Sequence, residues 1–123
     1  MVRTRISGIL IKITFEEVHL FFKKIIGSNE YEYSVKATTF LSFENESFSI
    51  SIDYSDFDRD IDGYYTITFH VKHNGSIHEA THFIKKLIFL LNDLKLTYNV
   101  DYQEEDIYGS PIGKEFYILS KNR

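Results

Sequence analysis

His78-Glu79-Ala80-Thr81-His82 spells a known metal chemistry. Two imidazoles four residues apart on a helix stand one turn apart, so both can ligate one zinc ion. The glutamate between them can then act as general base on the zinc-bound water. On this reading His78 and His82 are metal ligands, Glu79 is the catalytic base, and Glu104 or Glu105 completes the shell. A second stretch, Asp58-Arg59-Asp60-Ile61-Asp62-Gly63, reproduces the opening of a calcium loop, with carboxylates at alternate positions and a glycine for the sharp turn. An EF-hand needs a bidentate Glu at loop position twelve, and Phe69 stands there. That leaves calcium held with help from Asp53 or Asp56, or a plain hairpin connection turned by Asp and Gly.

The elements around these motifs decide how they are read. Ser76-Ile77-His78-Glu79 is a capping box, which gives Glu79 a structural use as the reciprocal partner of Ser76. Ala80, Phe83, Ile84, Leu87, Ile88, Leu91 and Leu94 continue from it as one apolar stripe. At 100° per residue, His78, His82, Lys85 and Phe89 fall on the opposite face. An earlier helix opens with a second capping box, Thr14 to Glu17. Val18, Phe21, Phe22, Ile25 and Ile26 form its apolar face, and Gly27 is its C-terminal cap.

The order helix, several strands, motif-bearing helix resembles the N-terminal part of zincin metalloproteases, over residues 15 to 95 and only as a sequence of elements. The resemblance implies a zinc hydrolase. The chain departs from the family's pattern beyond the motif. A metzincin continuation would need Gly and His where Lys85 and Ile88 stand. Glu104 and Glu105 are at a gluzincin-like distance but follow an expected strand, whereas the family places that ligand on a helix. The reading we prefer is a capped helix start carrying two surface histidines.

The remaining segments alternate with the period of strands. Phe48, Ile50, Ile52 and Tyr54 alternate with Ser and Asp. Tyr65, Ile67, Phe69 and Val71 do so with Thr, His70 and Lys72, and Leu96, Tyr98, Val100 and Tyr102 with polar residues. Tyr31 to Phe43 reads as one long strand, with further strands near Ile6 to Ile13 and Glu115 to Leu119. Glu104 to Lys114, with Gly109, Pro111 and Gly113, reads as a loop. One dry and one wet face per strand implies a sheet covered on one side. The expected fold is α+β: a single domain over 1–123, a two-layer sandwich with a mostly antiparallel sheet of five to six strands. Two helices lie on one face, in the order β-α-β-β-β-α-β-β.

Composition narrows the function. The 123 residues contain no Cys, so thiolate metal sites are excluded. The net charge of −4, from 18 acidic and 14 basic side chains, argues against nucleic acid as a partner. The opening MVRTRISGILIKITF is interrupted by Lys12 and lacks a small-residue cleavage pattern, and no apolar run spans a bilayer. A soluble, cytoplasmic protein that does not engage membranes is expected. The acids crowd into Asp53 to Asp62 and Asp101 to Asp106, which suits a basic partner.

The expected function is a small acidic protein-binding module, in concrete form an immunity or antitoxin-type inhibitor of a nuclease-like toxin. Asp56, Asp58, Asp60, Asp62, Glu104, Glu105 and Asp106 would imitate phosphate charges, and Phe89 would anchor the partner. That reading has no catalytic residue and no cofactor. The alternatives are a zinc-dependent hydrolase using His78, Glu79, His82 and Glu104, and a self-associating domain that forms a homodimer through its wet sheet face or the face carrying Phe89.

Overall fold

The computed structural model describes residues 2–35, 38–55 and 58–120. The elements run β1 (Val2–Ile13), α1 (Phe15–Ile26), β2 (Glu32–Val35), β3 (Thr39–Glu44), β4 (Phe48–Tyr54), β5 (Tyr65–Asn74), α2 (Ile77–Asp93), β6 (Thr97–Asp106) and β7 (Pro111–Leu119). The strands form one antiparallel sheet in the order β2-β3-β4-β5-β1-β6-β7. The first strand thus lies inside the sheet, between β5 and β6. The α+β sandwich stands, with seven strands rather than five or six.

Two segments depart from the expected reading, and the first supplies the extra strand. Tyr31 to Phe43 is not one strand: β2 and β3 fold back on each other, with Tyr33 opposite Leu41 and Val35 opposite Thr39. A run of β-forming residues does not show where the chain reverses. Glu104 to Lys114 is mostly strand, since β6 continues to Asp106 and β7 begins at Pro111. Pro111 and Gly113 look like marks of a loop, yet both are tolerated in an edge strand: Pro at its first residue, Gly at an irregularity. Gly113 has φ +72°, and the β6–β7 register shifts between Tyr102 and Glu104.

Both helices begin as their capping boxes require. Thr14 accepts from the Glu17 amide at 3.2 Å, and Glu17 accepts from the Thr14 amide at 3.0 Å. Gly27 closes α1 in the left-handed conformation, φ +69°. The helices pack side by side, and the Lys86 ammonium donates to the Ile25 carbonyl at 3.3 Å. Their buried stripes, Val18-Phe21-Phe22-Ile25 and Ala80-Phe83-Ile84-Leu87-Leu90-Leu91, meet the apolar side of the sheet. No helix among the described residues is long and apolar enough to cross a membrane.

The centre of the core is a ring laid over a glycine. Gly8 of β1 stands opposite Phe69 of β5, and a Cβ at position 8 would overlap the edge of that ring. Phe69 is fully buried and touches Phe21 of α1, with ring centroids 5.5 Å apart. A Gly→Ala exchange inside a strand ordinarily gains about 0.5–1 kcal/mol. For Gly8→Ala the overlap should reverse the sign, with a loss of about 1–3 kcal/mol. Urea unfolding should show a lower midpoint at unchanged slope.

His19 of α1 sits among Phe15, Tyr31 and Tyr33, with its Nδ1 2.8 Å from the Tyr31 hydroxyl. Burial, then the Lys23 charge, pushes its pKa below 6.5, with Glu16 opposing. The unfolded chain therefore takes up this proton first as the pH falls. The contribution of neutral His19 is full above 6.5 and is lost as the pH drops below that value toward the folded pKa. Stability should decline on acidification below that point, and His19→Gln should flatten the decline in a denaturation series across pH.

Candidate functional site

The start of α2 gathers the residues of the zinc motif, and the backbone claims its carboxylates. Ser76 accepts from the Glu79 amide at 3.3 Å, and Glu79 accepts from the Ser76 amide at 3.2 Å. Glu104, reaching up from β6, accepts from the Ile77 amide at 2.9 Å. Two carboxylates thus satisfy amides that have no partner inside the helix and offset its positive end. His78 and His82 leave the helix on the solvent side, exposed, together with Lys85 and Phe89. The set His78, His82 and Glu104 is not brought together: the glutamate comes from the sheet side and the imidazoles point the other way. Among the described residues no three His, Asp or Glu side chains are grouped to hold one ion.

The acids after Glu104 also serve the fold. Glu105 is not at the surface but buried, on the face of the sheet without helices. It accepts from Arg3 Nε at 2.9 Å and from the Lys72 ammonium, which reaches it from across β1. Asp106 accepts from the Tyr108 amide at 2.9 Å and the Ser110 amide at 3.0 Å, closing the turn into β7. Asp101 and Glu115 flank Arg5, at 3.1 and 3.5 Å.

The Asp-rich segment is different. Asp58, Asp60 and Asp62 are exposed at the turn between β4 and β5. Asp58 accepts from the Ser55 amide at 2.7 Å, and Asp60 accepts from the Asp62 and Tyr64 amides at 2.9 and 3.0 Å. Gly63, at φ +88°, completes the turn. Ile61, at the tip, is 100% exposed. Asp56 lies outside the described residues.

The two acidic stretches do not make one surface. Tyr65, just after the Asp turn, pairs with Ile13, whereas Glu105 pairs with Arg3. Ten residues of β1 separate these pairings, roughly 33 Å of strand. The Asp turn and the Glu104–Asp106 segment therefore sit at opposite ends of β1.

One apolar feature escapes a reading of the sequence. A groove of about 370 Å³ runs between α2 and the last two strands, lined by Ile84, Ile88, Tyr102 and Ile118 among others. Phe116 of β7 stacks on Tyr102 with ring centroids 5.2 Å apart. The alternation in Glu115 to Leu119 carries the signal, but whether a helix covers that strand depends on the sheet's width.

These assignments separate the acids by experiment. Glu105→Gln, which leaves Arg3 and Lys72 without their counter-charge, should cost about 1–3 kcal/mol. Asp62→Asn, at an exposed turn, should change stability by less than about 0.5 kcal/mol. Chemical denaturation of the two variants beside the parent checks the contrast. Comparison with known proteins leaves geometry as the guide to function: no family model, no curated protein and no solved structure matches this chain.

Proposed function

We propose that this chain is a small acidic protein-binding module and that the Asp58–Gly63 turn docks it onto a basic partner. One observation carries the reading: a fully exposed Ile61 stands between Asp60 and Asp62 at the tip of a turn held by its own hydrogen bonds. An apolar contact flanked by carboxylates has the make-up of a binding spot, with a desolvated centre and a charged rim. The turn is organised before binding, so little ordering entropy opposes association. The net charge of −4 favours encounter with a basic surface.

In its most specific form the module is an immunity or antitoxin-type inhibitor acting in the cytoplasm. Its carboxylates would lie where a nuclease toxin holds nucleic-acid phosphates. Among the described residues, Asp58, Asp60 and Asp62 carry this role, because Glu104, Glu105 and Asp106 already serve the helix start, the arginine–lysine pair and the β6–β7 turn.

The test is association kinetics with a basic nuclease domain, using the Asp58→Asn, Asp60→Asn, Asp62→Asn triple variant. Asn keeps a carbonyl acceptor for the turn and removes the charge. The on-rate should fall at least about tenfold in the variant and likewise at high salt in the parent. Ile61→Ser should raise the off-rate with little effect on the on-rate. An on-rate indifferent to both the triple change and salt would refute the reading.

A further inference from the structure

β7 closes the sheet, with β6 on one side and, among the described residues, no strand on the other. An edge strand offers unpaired amides and carbonyls, and proteins usually blunt such edges with proline, lysine or a bulge. In β7 those devices are confined to the first half: Pro111, the irregularity at Gly113, and Lys114. The second half, Glu115-Phe116-Tyr117-Ile118-Leu119, has none. Its one charge, Glu115, is turned inward to Arg5 at 3.5 Å.

Both sides of this half-strand are apolar and incompletely covered. Phe116 and Ile118 face the helix side, where Ile118 lines the groove beside α2 and Phe116 is 37% exposed. Tyr117 and Leu119 face the other side and are 70% and 51% exposed. The hydrogen-bond phase is also fixed. The Ser120 amide donates to the Tyr98 carbonyl at 2.9 Å, so the even-numbered residues turn their backbone groups to β6. Glu115, Tyr117 and Leu119 therefore turn theirs outward.

We propose that two copies of this chain pair β7 with β7, antiparallel, about a twofold axis at Tyr117. The two sheets become one continuous sheet. The sequence of the half-strand is self-complementary in this register. Tyr117 meets Tyr117 of the second copy in a hydrogen-bonded pair, Phe116 meets Ile118 of the second copy on the helix side, and Glu115 meets Leu119. No like charges stand opposite one another. An axis at Glu115 would set that carboxylate against itself. An axis at Phe116 would carry the pairing into the kink at Gly113. The contact is one strand pair, below the size of a standard stable interface, so the dimer is of the transient class. This inference does not depend on the Asp turn, which lies at the far side of β5 from β7.

Sedimentation of the full chain from low micromolar to about 1 mM, a range that spans weak affinities, should show a shift from one copy to two. Two variants address the register. Tyr117→Pro removes an outward amide that β6 does not use, and Tyr117→Lys sets two ammonium groups against each other. Both should remain single copies throughout, with the β6–β7 pairing kept. In the parent at high concentration, the Glu115 and Leu119 amides should exchange with solvent at least about tenfold more slowly than in either variant, and the Tyr117 amide more slowly than the residue-117 amide of Tyr117→Lys. The triple Asp→Asn variant should dimerise like the parent, which separates failure of this idea from failure of the binding proposal. A mass of one copy at every concentration would overturn the proposal. So would a dimer that persists in both Tyr117 variants, or a mass that grows without limit past two copies.

Discussion

A mismatch of width governs this molecule. Seven strands at about 4.8 Å spacing make a sheet roughly 29 Å across, and two helices at about 10 Å each cover roughly 20 Å of it. The helices settle over the middle strands, where β1, β4, β5 and β6 supply most of the fully buried side chains. The edges stay bare. On β2, Tyr33 and Val35 are exposed on the helix side, and on β7 Phe116 is only partly covered. The tight contact of Phe69 with Gly8 belongs to the same constraint, because the limited covered area must be packed closely to hold the sheet.

The acidic side chains divide by what lies next to them. Glu79 and Glu104 serve the positive end of α2, and Glu105 is enclosed by Arg3 and Lys72. Asp101 and Glu115 share Arg5. On the open face these charges are balanced within the chain, in a cross-strand arrangement that fixes β1 against β5, β6 and β7. In the Asp turn, by contrast, Asp58, Asp60 and Asp62 are all directed at solvent. The same local chemistry, carboxylate to backbone amide, holds its shape while leaving Ile61 at the tip.

Several features are legible in the chain alone. The two capping boxes form as written, and the outer face of α2 carries His78, His82, Lys85 and Phe89 as the helical period implies. Alternation locates β4, β5 and most of β6. It undercounts the strands because the β2–β3 reversal carries no contrast in hydrophobicity, and it starts β7 too late because Pro111 and Gly113, usual marks of a loop, sit in an edge strand that tolerates them.

The sequence by itself determined what depends on neighbours within about a helical turn: caps, stripes, the alternation of strand faces and the Asp–Gly turn. Those interactions are complete within a few residues, so composition and spacing suffice to read them. Only the tertiary structure decided which acids remain available. Glu105 meets Arg3 across 102 positions of chain and Lys72 across 33, and Glu104 finds the Ile77 amide 27 residues away. Such partners follow from strand order and register, which are set by how the whole apolar surface is covered at once. The same global balance left the Glu115–Leu119 edge without a neighbouring strand among the described residues, a property that belongs to the width of the sheet and to no single stretch of the chain.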